Sequence, residues 1–135
     1  PAVLANMAVN FNGAKLTDIE LCTQHNIMFV AAGASDTVSS GQVHAYSTIQ
    51  RSSPAAPSLL TSVTVGPLPD MILPNGDCSK VAVANEGEGD YTGNGLVDPE
   101  GSVDILTITV NGATVEMTKE SVQLGSHTDE ELIAM

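Results

Sequence analysis

Composition, alternation and an internal repeat together predict an all-β chain. Val, Ile, Thr, Ser and Gly are plentiful, aromatics make up 3% and Trp is absent, a profile of pleated strands and tight turns rather than of a helical bundle. Apolar residues fall at alternate positions in several runs of strand length, as at Val43 and Ala45 or Val81 and Val83, which puts one face of each run inward. The third observation sets the architecture. LTDIEL at 16–21 answers LPDMIL at 68–73, IMFVAAG at 27–33 answers VAVANEG at 81–87, and SGQVHAYS at 40–47 answers EGSVDILT at 100–107. A period of about fifty residues holding four short strands is the mark of a β-propeller blade. The expected fold is therefore a β-propeller fragment, about two four-stranded blades of a larger propeller, with a β-sandwich as the alternative.

Residues 1–14 read as an incoming strand of a preceding blade, with a strand at 7–11 and a turn at Asn12-Gly13. The first full blade spans 15–66. Its opening strand places Leu16, Ile19 and Leu21 inward, and a polar turn at 23–26 leads to the apolar run 27–32. GASDTVSSG at 33–41 is a loop by composition, 42–48 buries Val43, Ala45 and Tyr46, and a Ser/Pro connector at 51–57 leads to a fourth strand at 59–65. The second blade, 67–123, repeats the scheme with strands at 68–73, 80–84, 102–110 and 113–122. Pro74-Asn75-Gly76-Asp77 makes the first turn, where Pro presets the backbone and Asn-Gly tolerates positive φ. Asn111-Gly112 is a hairpin signal. Residues 124–135 begin another element, and Thr128, Asp129, Glu130 and Glu131 resemble a capping box. Two blades cannot close a propeller, so the chain reads as a piece of something longer.

Acids outnumber bases sixteen to four, for a net charge of −12. Nucleic acid and anionic membrane are excluded as partners, since both need clustered Lys or Arg. Cations, mineral surfaces and basic proteins suit the balance. No apolar stretch reaches transmembrane length, so direct membrane insertion of this segment is not expected.

The most distinctive stretch joins the second and third strands of the second blade. Six acids, Glu86, Glu88, Asp90, Asp98, Glu100 and Asp104, fall between 86 and 104 with no Lys or Arg among them. Such a cluster repels itself unless solvent, a cation or a basic partner offsets it. The spacing of Asp90, Thr92, Asn94, Gly95, the Leu96 carbonyl and Asp98 fits positions 1, 3, 5, 6, 7 and 9 of an EF-type calcium loop. Hard oxygen donors and a mid-loop Gly are what Ca²⁺ requires. The pattern departs at the last ligand, where Gly101 holds position 12 and Glu100 stands one place early. Glu86, Glu88 and Glu100 form a rival carboxylate site if the two halves of the loop converge. Against both stands the reading that the loop is simply solvated, with Asn85 and Asp98 capping turns.

At Asn85-Glu86-Gly87-Glu88 and Asp98-Pro99-Glu100-Gly101-Ser102 the chain resembles the mesenchyme-specific cell surface glycoprotein family of biomineralising animals. It is also similar to secreted bacterial proteins with a choice-of-anchor I domain, some of them alkaline phosphatase-like. The resemblance covers most of the chain. It implies a propeller, an extracellular or cell-surface setting with matrix or surface proteins as partners, and in animals a link to calcified tissue. The insert at 93–96 is longer than the family pattern, so a site that uses it would be peculiar to this chain.

Other candidates are weaker. His25, His44 and His127 have no metal-ligand spacing. Cys22 and Cys78 stand at similar places in the two repeats; an oxidising compartment would let them pair if their Cα atoms came within about 7 Å. Asp18 and Asp70 recur in the first strands as expected turn or inter-blade hydrogen-bonders. No Gly-X-Ser-X-Gly, Cys/His pair or phosphate-cradling Gly loop occurs, so the reading leans away from an enzyme. The expected function is binding or scaffolding at the cell surface or outside the cell, with Ca²⁺ as the expected ligand. The alternative is a secreted metal-dependent phosphatase-like hydrolase with machinery partly outside these residues.

Overall fold

In a computed structural model that describes residues 9–12, 14–50, 52, 54–92 and 95–123, ten strands follow one another without a helix. They are β1 (Lys15–Cys22), β2 (Ile27–Gly33), β3 (Ser40–Ser47), β4 (Leu59–Pro67), β5 (Pro69–Pro74), β6 (Lys80–Asn85), β7 (Asp90–Thr92), β8 (Gly95–Val97), β9 (Ser102–Asn111) and β10 (Thr114–Gln123). The all-β expectation holds among these residues. Of the strand expected at 7–11, only Val9, Asn10 and Phe11 are described and none is extended into a ladder. The capping box at Thr128–Glu131, His127, Gly93 and Asn94 lie outside the described residues.

Two antiparallel meanders make up the body, β1-β2-β3-β4 and β5-β6-β9-β10, and neither closes on itself. β1 lies against β5 and β4 against β10, so the two sheets stack in the same order. They also run in the same direction. Thr17 Oγ1 donates to the Pro69 carbonyl, the Ile72 N–H donates to Asp18 Oδ2 (2.9 Å), and Gln24 Nε2 donates to the Gly76 carbonyl (2.6 Å). Cys22 at the end of β1 and Cys78 in the β5–β6 turn form a disulfide, with Cα atoms 6.0 Å apart.

The repeat is visible in the ladders. Ile19 pairs with Val30, Val30 with His44 and His44 with Ser62; in the second sheet Ile72 pairs with Val83, Val83 with Asp104 and Asp104 with Ser121. Each sheet also skips one residue of its first strand at a bulge, between Leu16 and Asp18 and between Pro69 and Met71. Set against these ladders, the sequence alignment of the first two strands is displaced by one residue in each, in opposite senses. That error matters, because a one-residue slip moves every side chain to the other face.

Leu16, Ile19 and Leu21 accordingly do not point into the core. They are exposed on the face of β1 turned away from the second sheet, whereas Asp18 and Cys22 face it. The core lies between the sheets and contains Ile27, Phe29, Val43, Val65, Ile72, Val81, Val83 and Leu106. Burying such side chains contributes about 1.5–3 kcal/mol each. On the far face of the first sheet Phe11 packs against His44 and Tyr46, with ring centroids 5.7 and 5.8 Å away. Val43, Ala45 and Tyr46 are buried as expected.

The turns follow local chemistry with one difference. At the β5–β6 turn, Asn75 Oδ1 accepts from the Lys80 N–H (2.9 Å) and Asp77 Oδ1 from the Ser79 N–H (3.0 Å). The left-handed residue there is Cys78, at φ 58°, rather than Asn75 or Gly76. At the β9–β10 hairpin Asn111 pairs with Thr114, leaving Gly112 (φ 63°) and Ala113 as the two central residues. Gly first with positive φ is what such a turn demands.

Candidate functional site

The acidic segment leaves β6 at Asn85 and rejoins the sheet at Ser102, at the end of the molecule where β4 hands over to β5. Its start is clamped to that handover. The Glu86 N–H donates to the Leu68 carbonyl (2.9 Å) and the Gly87 N–H to the Pro67 carbonyl (3.2 Å). Gly87 has φ +66°, and a Cβ there would lie 2.6 Å from the Pro99 carbonyl oxygen and 2.9 Å from that of Glu100. A Cβ at Gly101 would stand 3.1 Å from the Glu86 carbonyl oxygen. The two glycines thus let the halves Asn85–Glu88 and Asp98–Ser102 lie against each other; at Gly87 the separation and the positive φ admit no side chain, and at Gly101 one would fit only tightly.

Between the halves the chain forms a hairpin that sequence reasoning missed. Asp90 pairs with Val97, Tyr91 with Leu96 and Thr92 with Gly95. The pairing sets Asp98 beside the foot of the hairpin, its Oδ1 2.9 Å from where a Gly89 Cβ would be. Asp98 stands one place past Val97, the ladder partner of Asp90, and its carboxylate lies against Gly89. Thr92 and the Leu96 carbonyl belong to an extended ladder, which differs from the winding by which an EF-type loop carries its first positions round an ion. Asn94 lies outside the described residues, and among those described no three of His, Cys, Asp and Glu converge as a metal centre. Glu86, Glu88, Asp90, Asp98 and Glu100 are all exposed, as are Tyr91, Leu96 and Val97.

Beneath the loop lies a buried polar network. Asp104 is 1% exposed, between Val103 and Ile105 on β9. Its Oδ2 accepts from the Gly66 N–H on β4 (2.9 Å) and from Asn85 Nδ2 (2.9 Å). Its Oδ1 accepts from the Ser121 hydroxyl, and the Lys119 ammonium stands 3.9 Å away. Asn85 Nδ2 also donates to Ser102 Oγ (3.1 Å), while Asn85 Oδ1 is buried with no partner. Gly66 is required here, since a Cβ would fall 2.7 Å from the Asn85 side chain. Asn85 is therefore not a turn cap. It joins Ser102, and through Asp104 it couples both ends of the acidic segment to β4 of the other sheet. A buried carboxylate is tolerated when its lone pairs are satisfied by donors of this kind.

The remaining candidates have separate surroundings. Asp18 bonds across to β5, as an inter-sheet hydrogen-bonder. His44 sits on the far face of the first sheet beside Phe11 and Tyr46, where burial holds its pKa below the usual imidazole value, and its Nδ1 is buried without a partner. Asp36 and Asp77 are turn carboxylates held below the usual carboxylate range. For Asp36 the Ser39 N–H is the leading cause, and for Asp77 the Ser79 hydroxyl.

A two-sheet all-β body with a carboxylate-rich loop at one end, free of any helix long and apolar enough to cross a membrane among the described residues, is the class of molecule these features define. The family model of the choice-of-anchor I domain matches residues 1–134, so the chain belongs to the choice-of-anchor I domain family. That family points to a cell-surface or extracellular role. The match does not extend to the narrower glycoprotein family of calcified tissue. Comparison with curated proteins gave no match, and comparison with solved structures gave none.

Proposed function

We propose that this chain is a binding unit of a cell-surface or extracellular scaffold, built from two successive blades of a larger β-propeller, whose acidic loop takes Ca²⁺. The observation that carries this is the locked loop. Its two halves are held face to face by Gly87 and Gly101 and anchored through Asn85 and Asp104, while five carboxylates face solvent. Holding carboxylates in place lowers the entropy lost on binding a cation and leaves their mutual repulsion for the cation to relieve. The blade reading is supported by the matching ladders, the matching bulges and the same-direction stacking of β1 and β5.

Asp90 and Asp98 are the first proposed ligands, with Glu100 as a further carboxylate and Glu86 and Glu88 as the second group; Thr92 and the Leu96 carbonyl, drawn into the hairpin ladder, drop out of the set. An exposed site of this type binds in the range of extracellular modules, about 0.1–1 mM. Divalent ions at a mineral surface, or basic matrix and cell-surface proteins, present the same positive charge to the same carboxylates. No feature of the described residues favours the hydrolase alternative.

Calorimetry with Ca²⁺ at about 1 mM tests the reading. Binding heat that Asp98→Asn reduces at least about tenfold in affinity is expected, since a primary ligand is worth more than 1.4 kcal/mol. No heat, or heat indifferent to Asp90→Asn and Asp98→Asn, removes the calcium assignment.

A further inference from the structure

The β7–β8 hairpin stands off the body. Its two strands chiefly contact each other, and it lies past the ends of β6 and β9 rather than on either face of the second sheet. Stacking of blades uses the sheet faces, so it does not account for this element. Residues opposite each other in an antiparallel ladder share a side. Tyr91 and Leu96 therefore lie on one face of the hairpin, and Asp90 and Val97 on the other. A hairpin this short is not stable on its own in water, yet Tyr91 is 81% exposed and Leu96 57%. The Tyr91 face continues two residues further along each strand to Gly89 and Asp98. A Cβ at Gly89 would lie 2.9 Å from Asp98 Oδ1 and 3.4 Å from Leu96 Cδ1. With no Cβ there, the Gly89 backbone floors an open notch walled by Leu96 and Asp98, and Tyr91 stands next to it.

We infer that this face of the hairpin takes an arginine side chain from a basic segment of a partner protein. The inference rests on the reading of the loop as a binding element. Contiguous exposed apolar side chains mark an interaction surface, and charge complementarity selects what it meets. Residues 86–100 carry five exposed carboxylates and no Lys or Arg. An acidic partner is repelled, and an uncharged apolar one would cover Asp98 without a counter-charge. Arginine meets both demands. Its aliphatic stem covers Leu96 and the bare Gly89 backbone, its guanidinium donates to the Asp98 carboxylate, and its plane stacks on the Tyr91 ring. Lysine brings the charge without the planar fork and fits less well.

The test is fluorescence anisotropy of the intact protein with a labelled Arg-Gly repeat peptide, and a Glu-Gly repeat peptide of the same length as control. Saturable binding of the Arg peptide at or below about 1 mM is expected, with none of the Glu peptide. Tyr91→Ala should weaken it about two- to fivefold, the worth of an exposed cation–ring contact, while Tyr91→Phe keeps the parent affinity. Gly89→Ala fills the notch and should weaken binding too. Both positions are exposed, so an unchanged β spectrum by circular dichroism confirms folding. No saturable binding overturns the inference. So does Arg-peptide binding indifferent to Tyr91→Ala and Gly89→Ala, which would leave only the charge of the carboxylates at work. Retention of a neutral oligosaccharide, lost in Tyr91→Ala, by a protein that ignores the Arg peptide would make the face a glycan site and overturn it as well. Calorimetry with Ca²⁺ keeps the two proposals apart, because Tyr91→Ala should take up Ca²⁺ as the parent does. A protein that binds the Arg peptide and no Ca²⁺ defeats only the calcium assignment, and one that binds Ca²⁺ and no Arg peptide defeats only the arginine site.

Discussion

Replacing Asp104 by Ala removes the acceptor on which three donors converge, and the cost can be worked from its partners. The half-buried Gly66 N–H and the buried Asn85 amide, which keeps only its bond to Ser102, each lose an acceptor, at about 1–3 kcal/mol each. The Ser121 hydroxyl is on an exposed residue and turns to water at little cost. Lys119 lies 3.9 Å from the carboxylate with a third of its side chain exposed, so its loss of a partner adds no more than about 1 kcal/mol. The sum is about 2–7 kcal/mol, a large part of the total stability of a domain this size. Equilibrium urea unfolding of the oxidised chain reads it, with Lys119→Met as the control expected to cost less than about 1 kcal/mol. The second readout is local: because Asn85 loses its anchor, proteolysis in the acidic loop should speed up before global unfolding does. A loss below about 1 kcal/mol for Asp104→Ala, with unchanged cleavage, would refute the idea that this carboxylate ties the loop and β4 together.

Removing the disulfide by Cys22→Ala with Cys78→Ala should lower stability by about 4 kcal/mol, given the 56-residue separation it closes, and reductant alone should reproduce the shift in urea midpoint. His44 makes stability depend on pH. Its folded pKa lies below the ordinary value near 6.5 because burial disfavours the charged ring, so its contribution is complete above that value and is lost as pH falls through the folded pKa. Urea midpoints measured from pH 8 downwards should therefore fall on the acid side of neutrality, and His44→Gln should flatten that part of the curve; an identical slope in the variant would exclude His44 as its source.

How far the chain was legible depended on how local each signal was. Strand positions follow from alternation and turn residues, which act over two to six residues, and the body strands fall within a residue or two of where the sequence puts them. Which face turns inward is a different matter. Leu16, Ile19 and Leu21 alternate as a buried face should, yet the bulge at Thr17 and the stacking of β5 over Asp18 place them outside. The β7–β8 hairpin was invisible because its six residues carry little apolar alternation and acids surround them. Asp104 did leave a trace, a charge inside Val103-Asp104-Ile105-Leu106, but a lone acid in a strand reads equally well as a solvent-facing position.

By itself the sequence determined that this protein is made of strands, that it repeats, that its charge concentrates between β6 and β9, and that Cys22 and Cys78 stand at similar places in the two repeats. Those are properties of composition and short-range spacing, and any chain with this order of residues carries them. Tertiary structure alone decided that the repeats stack front to back, that Asp104 lies between them, and that the loop's carboxylates face water while its glycines and Asn85 hold it shut. The reason is that burial and register are set by what a strand packs against across the sheet, and that neighbour lies about fifty residues away along the chain.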